Sequence, residues 1–363
     1  MKTGKTLNEL AAEITRRAEA KKDFIAPVGK LAMAVVNDAP SLIVGDNDAF
    51  AINANAHGQI AEYAGIPSKY YKRMQSEDPQ LLATNVNRWL HDIASKDDKR
   101  MVRTLDGQVR ALVSDRYRKI ENEDIAETVL PVLMDRDMII MSADITETRM
   151  YLKAVDRSIE KNIPKGFSMG DGSHQIFDCL SPAIIVGNSE TGNGSYFVET
   201  GVFTRACTNL ALFGANMRRS HLGVRAEHSD EVYALLTNQT LKVSDAALMG
   251  QLRDIIAGTL TVDRFDRTVE QLQRAADDKL DADVVKIVEQ VGRKFSVTEG
   301  EQKGILQRLI EGADLSRYGL HSAITRFSAD VDNYDRATEL ERMGGDVVQL
   351  PQGEWKQLLK LAA

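Results

Sequence analysis

The chain has 363 residues, 43% of them hydrophobic, which is enough to bury one large core or two and corresponds to about two domains. Two cysteines exclude a disulfide framework, and no apolar run approaches the ~18 residues of a membrane span, so the composition predicts a soluble protein of a reducing cytoplasm. The net charge of -7 lies at the back: residues 1–225 carry 29 basic and 29 acidic residues and residues 226–363 carry 17 and 24, so overall acidity does not exclude an anion-binding front part.

The opening MKTGKTLNELAAEI lacks the apolar core of a signal peptide, and Leu7, Leu10, Ala11, Ile14 and Ala18 predict an amphipathic helix over Thr6–Lys21. Strand-like runs follow at Leu31–Val36 and Ser41–Val44, then a helical stretch that stops near Gly65. In SKYYKRM, Lys69, Lys72 and Arg73 interleave with Tyr70 and Tyr71. Such a stretch either neutralises phosphates and stacks bases or is a helix whose tyrosines anchor it to the core. PQLLATNVNRWLHDI reads as a helix with Leu81, Leu82, Val86, Trp89, Leu90 and Ile93 facing inward.

Between Lys99 and Lys119 seven basic residues stand against two acidic ones. KRMVRTLDGQVRALVS predicts a hairpin closed by Asp106-Gly107, the dipeptide a two-residue type I′ turn prefers. Counting outward from that turn pairs Leu105 with Gln108, Thr104 with Val109 and Arg103 with Arg110. Two arginines facing each other on one sheet surface repel unless a bound anion or an acid from elsewhere neutralises them. Ser114-Asp115-Arg116-Tyr117-Arg118 adds two more arginines around a tyrosine, ahead of a helix from about Glu121 to Met134. Strands are expected in MIIMSADI and TRMYLKAV, then a polar loop containing GDGSH.

Ser181–Arg225 is the densest stretch. Pro182–Val186 predicts a buried strand, Asn188–Gly194 (NSETGNG) a loop rich in backbone donors, and Ser195–Cys207 further β-structure. Thr208–Met217 reads as helical and delivers Arg218, Arg219, His221 and Arg225, with only Glu190 and Glu199 opposing them. This is a composition suited to holding a polyanion by its phosphates; a surface hairpin followed by an ordinary basic helix has the same composition. After His228 the texture is helical: Ser229 reads as an N-cap, Arg264–Leu280 and Asp283–Phe295 as amphipathic helices, and Thr298-Glu299-Gly300-Glu301 as a capping box. Leu315–Val331 and Tyr334–Met343 complete the set, the last ending at Gly344-Gly345.

The element order predicts an α+β fold, a largely antiparallel sheet with helices on one face, followed by an all-helical C-terminal region. It divides the chain into an N-terminal mixed region (1–98), an α+β core (99–225) and a helical appendage or lid (226–363). No nucleotide-binding glycine loop, HExxH or serine elbow is present, so no catalytic residue and no cofactor is expected. His174, Cys179, Cys207 and His221 match no zinc spacing, so no metal is expected either.

The runs IPSKYYKRM, LLATNVNRWL, VRALVSDRYRKIENEDI, VGNSETGNGSYFVETGVFTRACTNLALFG with RRSHLG, and TRFSADVDNYDRATELERMGG resemble the phage/plasmid-like family called domain of unknown function 932. The resemblance spans nearly the whole chain and is most specific from NSETGNG to Cys207-Thr208-Asn209. It departs at Leu210, where a glycine is expected. It implies a phage, prophage or plasmid setting in a bacterial host. By fold-level analogy, the basic hairpin and element order are also similar to phage single-strand annealing proteins of the Red-beta and Rad-fifty-two type, whose cores line a groove for single-stranded DNA.

The resulting expectation is a non-catalytic, homo-oligomeric single-stranded DNA-binding protein that promotes annealing or recombination as a ring or filament. A phage exonuclease or a host single-strand-binding protein would be its partner. Arg103, Arg110, Arg116, Arg118, Arg205, Arg218, Arg219 and Arg225 would track phosphates, and Tyr117, with Tyr70 and Tyr71, would stack bases. The alternatives are an enzyme acting on nucleic acid or nucleotides through the Ser189-Glu190 loop with His174 or His221, and a phage structural or host-interaction protein.

Overall fold

The computed structural model describes residues 1–46, 49–92, 98–168, 175–194, 196–205, 208–219 and 238–363. The fold is α+β, with two mostly antiparallel sheets and a helical C-terminal region. Helix α1 (Leu7–Ala20) starts at a reciprocal capping box between Thr6 and Glu9, which satisfies two of its free backbone donors. Strands β1 (Lys22–Pro27), β2 (Leu31–Val36), β3 (Ala39–Val44) and β4 (Ala49–Ile52) follow, then helices α2 (Ala54–Tyr63), α3 (Ser68–Glu77) and α4 (Pro79–Asp92), then the hairpin of β5 (Lys99–Leu105) and β6 (Gln108–Ser114). The first sheet runs β1-β5-β6-β4-β3-β2. It draws four strands from before residue 99 and two from after it, so β1 and β5 join the expected N-terminal region and core in one ladder. Its single parallel pairing, β4 with β6, is made possible by the α2–α4 crossover, and Val28, Leu31, Leu42, Ile60, Tyr71, Leu82 and Val86 fill the core beneath those helices.

The Asp106-Gly107 turn has both residues at positive φ, 51° and 74°, the conformation a type I′ turn demands. Leu105 pairs with Gln108 and Thr104 with Val109, as counted from the sequence. The next pairing differs: Arg103 stands opposite Ala111, because a bulge takes up Arg110. An extra residue on one strand shifts every later side chain by one position, so the two arginines are not direct cross-strand partners.

Helix α5 (Asn122–Asp135) leads to β7 (Ile139–Ile145), β8 (Met150–Val155), β9 (Lys161–Ser168), β10 (Gln175–Asn188), β11 (Tyr196–Thr204) and β12 (Asn209–Arg219). The second sheet runs β12-β11-β10-β8-β7, with β9 paired to β10. Residues 209–219 are thus a strand, where the sequence reading expected a helix over Thr208–Met217. Alternation of apolar residues along these strands supplies two cores. Ile184, Val186, Tyr196 and Val198 pack toward α1, α5 and α6 (Asn238–Thr259). Ile185, Phe197, Phe203 and Leu212 pack toward Tyr334 on the opposite side.

The C-terminal helices are α7 (Val262–Asp277), α8 (Val284–Lys294), α9 (Glu299–Gly312), α10 (Arg317–Phe327), α11 (Tyr334–Gln349) and α12 (Gln352–Ala362). Helices α7, α10 and α11 share a core with the second sheet through Phe265, Val269, Tyr318 and Val348, so this region is part of its cover; the sheet carries helices on both faces, since Tyr334 of α11 packs on the side away from α1, α5 and α6. The capping box Thr298/Glu301 opens α9 as the sequence indicated. Gly344-Gly345 does not end α11, which runs six residues past Met343. A Cβ on Gly345 would lie 1.7 Å from the Leu212 carbonyl oxygen, so this glycine serves close helix–strand approach. Ser229, expected as an N-cap, lies outside the described residues.

Candidate nucleic-acid interface

Residues 188–194 join β10 to β11 and project from the second sheet into the first. Gly192 has φ 78°, and a Cβ there would meet the Val113 side chain at 2.8 Å; only a glycine in a left-handed turn fits so close to β6. The loop's polar groups find partners across this junction. Tyr117 Oη donates to the Ser189 carbonyl at 2.9 Å, Gln59 Nε2 donates to the Thr191 carbonyl at 2.7 Å, and Asn188 Nδ2 donates to the Ile120 carbonyl at 3.0 Å. Asn193 Nδ2 donates to Asn55 Oδ1, and Asn55 in turn donates to the Arg110 carbonyl. The loop's carbonyls and side-chain amides are thus taken up by the interior, and the Thr191 and Asn193 N–H groups donate to Ser189 Oγ within the loop.

Arg103 is 0% exposed. Its Nε donates to Asp23 at 2.8 Å, its Nη2 to Glu121 at 2.6 Å and its Nη1 to the Glu190 carbonyl at 2.8 Å. Burial opposes its charge, but Glu121 and Asp23 more than compensate and keep the guanidinium firmly protonated. Arg110, 4% exposed, donates through Nη1 to Glu190 Oε2 at 2.7 Å. Burial likewise opposes ionisation of Glu190, yet the Arg110 charge and a 2.8 Å hydrogen bond from the Asn122 N–H hold its carboxyl down at about 2. The anion between these arginines is therefore internal. Neither guanidinium is presented to a strand arriving from solvent.

The remaining expected contacts scatter. Tyr117 and Tyr71 are buried, the latter donating to or accepting from His57 Nδ1 at 2.9 Å, so neither ring offers a free face for stacking. Arg118 pairs with Asp245 of α6, and Arg116 is half-buried beside it. Arg205 is exposed and pairs with Glu160 at 3.0 Å, at the far end of β11 from the loop; nine residues of strand separate the two ends by roughly 30 Å. Arg218 and Arg219 stand opposite Phe197 and Tyr196, at the loop end of the ladder; only their backbone is described. Arg225, His174, Cys207 and His221 lie outside the described residues. Glu199, expected to oppose these arginines, instead pairs with Arg342 of α11 at 2.8 Å.

Exposed basic and aromatic residues lie elsewhere, on α3 and on α4. On α3, Tyr71 and Met74 turn inward, while Lys69, Tyr70, Lys72 and Arg73 face solvent. On α4 the buried face is Leu82, Ala83, Val86 and Leu90, which leaves Leu81, Arg88 and Trp89 exposed. Trp89 is 41% exposed and Tyr70 47%. The inward assignment of Leu81 and Trp89 is corrected: with Leu82, Val86 and Leu90 packed on β2, positions 81 and 88 fall on the opposite side of a 3.6-residue turn, while position 89 falls at the edge of the buried stripe and stays 41% exposed. Ile93 lies outside the described residues. Sequence reasoning missed Asp23 and Glu121 as partners of Arg103, and Lys21 and Asn122 as partners of the carboxylates that hold the arginines; the acid at the start of an expected helix was the one available signal. Compared with family models, curated proteins and solved structures, the chain matches none.

Proposed function

We propose that the chain is a single-stranded DNA-binding protein that promotes annealing or recombination in a phage, prophage or plasmid setting, without nucleotide hydrolysis. The observation that carries this reading is the solvent side of α3, where Tyr70 is exposed among Lys69, Lys72 and the Glu77-paired Arg73, with Arg88 and Trp89 exposed on α4. Exposed rings beside cations suit a strand held by stacking and by its phosphates, without base readout. The contact surface is moved to these helices from the β5–β6 hairpin, whose arginines are occupied inside. Arg205, Arg116, Arg218 and Arg219 are secondary contacts in this reading. Assembly into a ring or filament lets one short surface per subunit follow a longer strand, and a phage exonuclease or host single-strand-binding protein is the expected partner.

Fluorescence anisotropy with a labelled oligothymidylate over rising salt tests the reading. The log of affinity is expected to fall against log salt with a slope of about 0.7 per phosphate contact. Tyr70→Ala and Trp89→Ala each weaken binding by about 1–3 kcal/mol with little change in thermal stability, as loss of a stacking platform does. No binding, or binding untouched by both variants, removes the α3–α4 site. Light scattering at a mass near 40.2 kDa with and without the oligonucleotide refutes assembly.

A further inference from the structure

The Arg103/Arg110 network is built as an anion site with its own carboxylate in place. Glu190 lies at the N-terminus of α5, a 14-residue helix, where Oε1 accepts the Asn122 N–H at 2.8 Å. Arg110 approaches Oε2 at 2.7 Å and Lys21 Nζ lies 3.8 Å from Oε1. A second observation points the same way. Arg110 is 4% exposed, and its Nε and Nη2 have no hydrogen-bond partner among the described residues. One carboxylate uses only part of this guanidinium, whereas a tetrahedral anion offers more oxygens to the same fork. Within the bonded network, Lys21, Arg103, Arg110 and Lys119 meet Asp23, Glu121 and Glu190, four positive charges to three, while Glu123 and Asp124 add two acids to the first turn of α5. The occupant sits on the 188–194 loop.

We propose that Arg110, Lys21 and the N-terminus of α5 form a phosphate-binding site that Glu190 fills as an internal substitute. The ligand class is a tetrahedral phosphate, free or in a nucleic-acid backbone. The site is separate from the α3–α4 surface, and its test reads stability, so failure of strand binding at Tyr70 and Trp89 leaves it standing. Glu190→Ala removes the resident carboxylate and leaves room for an anion of comparable size. In sodium chloride this variant melts well below wild type; inorganic phosphate at equal ionic strength restores about half or more of the lost melting temperature, rising with the logarithm of phosphate concentration, while wild type responds little. Adding Arg110→Gln to Glu190→Ala abolishes the restoration. An oligothymidylate at matched phosphate content separates the sources: restoration by both probes marks a site that accepts a nucleic-acid backbone, and restoration by inorganic phosphate alone marks a free-phosphate site. Equal melting in phosphate and chloride overturns the proposal, as does restoration that survives Arg110→Gln. Where Glu190→Ala does not fold in chloride, refolding in phosphate and the milder Glu190→Ser variant read the same quantity; failure of both variants to respond to phosphate overturns it too.

Discussion

The ion pair between Lys153 of β8 and Glu341 of α11 joins the second sheet to its C-terminal cover. Nζ lies 2.6 Å from Oε2, with side-chain exposures of 1% and 0%, and the ammonium sits 4.5 Å from the centre of the Tyr334 ring. Burial pulls the Lys153 ammonium below its ordinary range, with Glu341 opposing the shift. At an effective dielectric constant of about 20, charges at this separation attract by about 6 kcal/mol, but desolvating the two ions costs several kcal/mol each. Glu341 Oε1 has no hydrogen-bond partner among the described residues, so the desolvation is incompletely repaid. The intact pair is therefore close to neutral in net stability, whereas either charge left alone is strongly unfavourable. Lys153→Met and Glu341→Gln are each expected to cost about 3–5 kcal/mol, and Lys153→Met combined with Glu341→Leu to recover most of that loss. Urea unfolding monitored by circular dichroism measures all three. Single variants within about 1 kcal/mol of wild type, or a double variant as unstable as the sum of the two, would refute the reasoning.

Arg103→Gln is expected to destabilise the protein by about 3–5 kcal/mol in urea unfolding, because Asp23 and Glu121 lose the cation between them. Facing arginines exposed on a sheet surface would instead make the substitution neutral or stabilising. Gly345→Ala is expected to lower the urea midpoint by an amount equivalent to more than ~2 kcal/mol, since the new methyl meets the Leu212 carbonyl and the gain in helix propensity is only about 1 kcal/mol. Burial holds His57 and His321 down at about 4. The unfolded chain therefore binds more protons between about pH 6.5 and 4, and their contribution to stability, complete above that window, is lost as pH falls through it. The slope reaches about 1.4 kcal/mol per pH unit for each histidine, and His321→Gln should remove one share of it in pH-dependent urea titrations.

The parts of the fold that local chemistry dictates were legible in the sequence. Asp106-Gly107 carries its own turn geometry, Thr298/Glu301 carries its own helix start, and the apolar stripe from Leu7 to Ala18 carries the first helix. Gly344-Gly345 reads as a stop by local propensity, yet the helix continues because β12 requires a surface without side chains at that point. The bulge at Arg110 was also illegible. Register from a turn is sound for two pairs, but the third is shifted by a bulge at Arg110, whose guanidinium meets Glu190, eighty residues away. The candidate site moved for the same reason. Basic residues were visible in the sequence, but which of them had an internal carboxylate could be known only from tertiary structure. Trp89 was misplaced because six apolar residues in PQLLATNVNRWLHDI exceed what one helical face can bury, and the pattern does not say which are left over.

The pairing of Arg110 with a residue so far along the chain also has a consequence during synthesis. At roughly 5–20 residues per second, the 80 residues between Arg110 and Glu190 take roughly 4–16 s to emerge from the ribosome. A β5–β6 hairpin closes within microseconds of its own emergence. For those seconds the nascent first sheet carries Arg110 without its acid and Gln59 and Tyr117 without their carbonyls, a half-built junction that only the arrival of residues 188–194 completes. Translation speed between codons 110 and 190 therefore sets how long this polar surface stays open to anionic company in the cell.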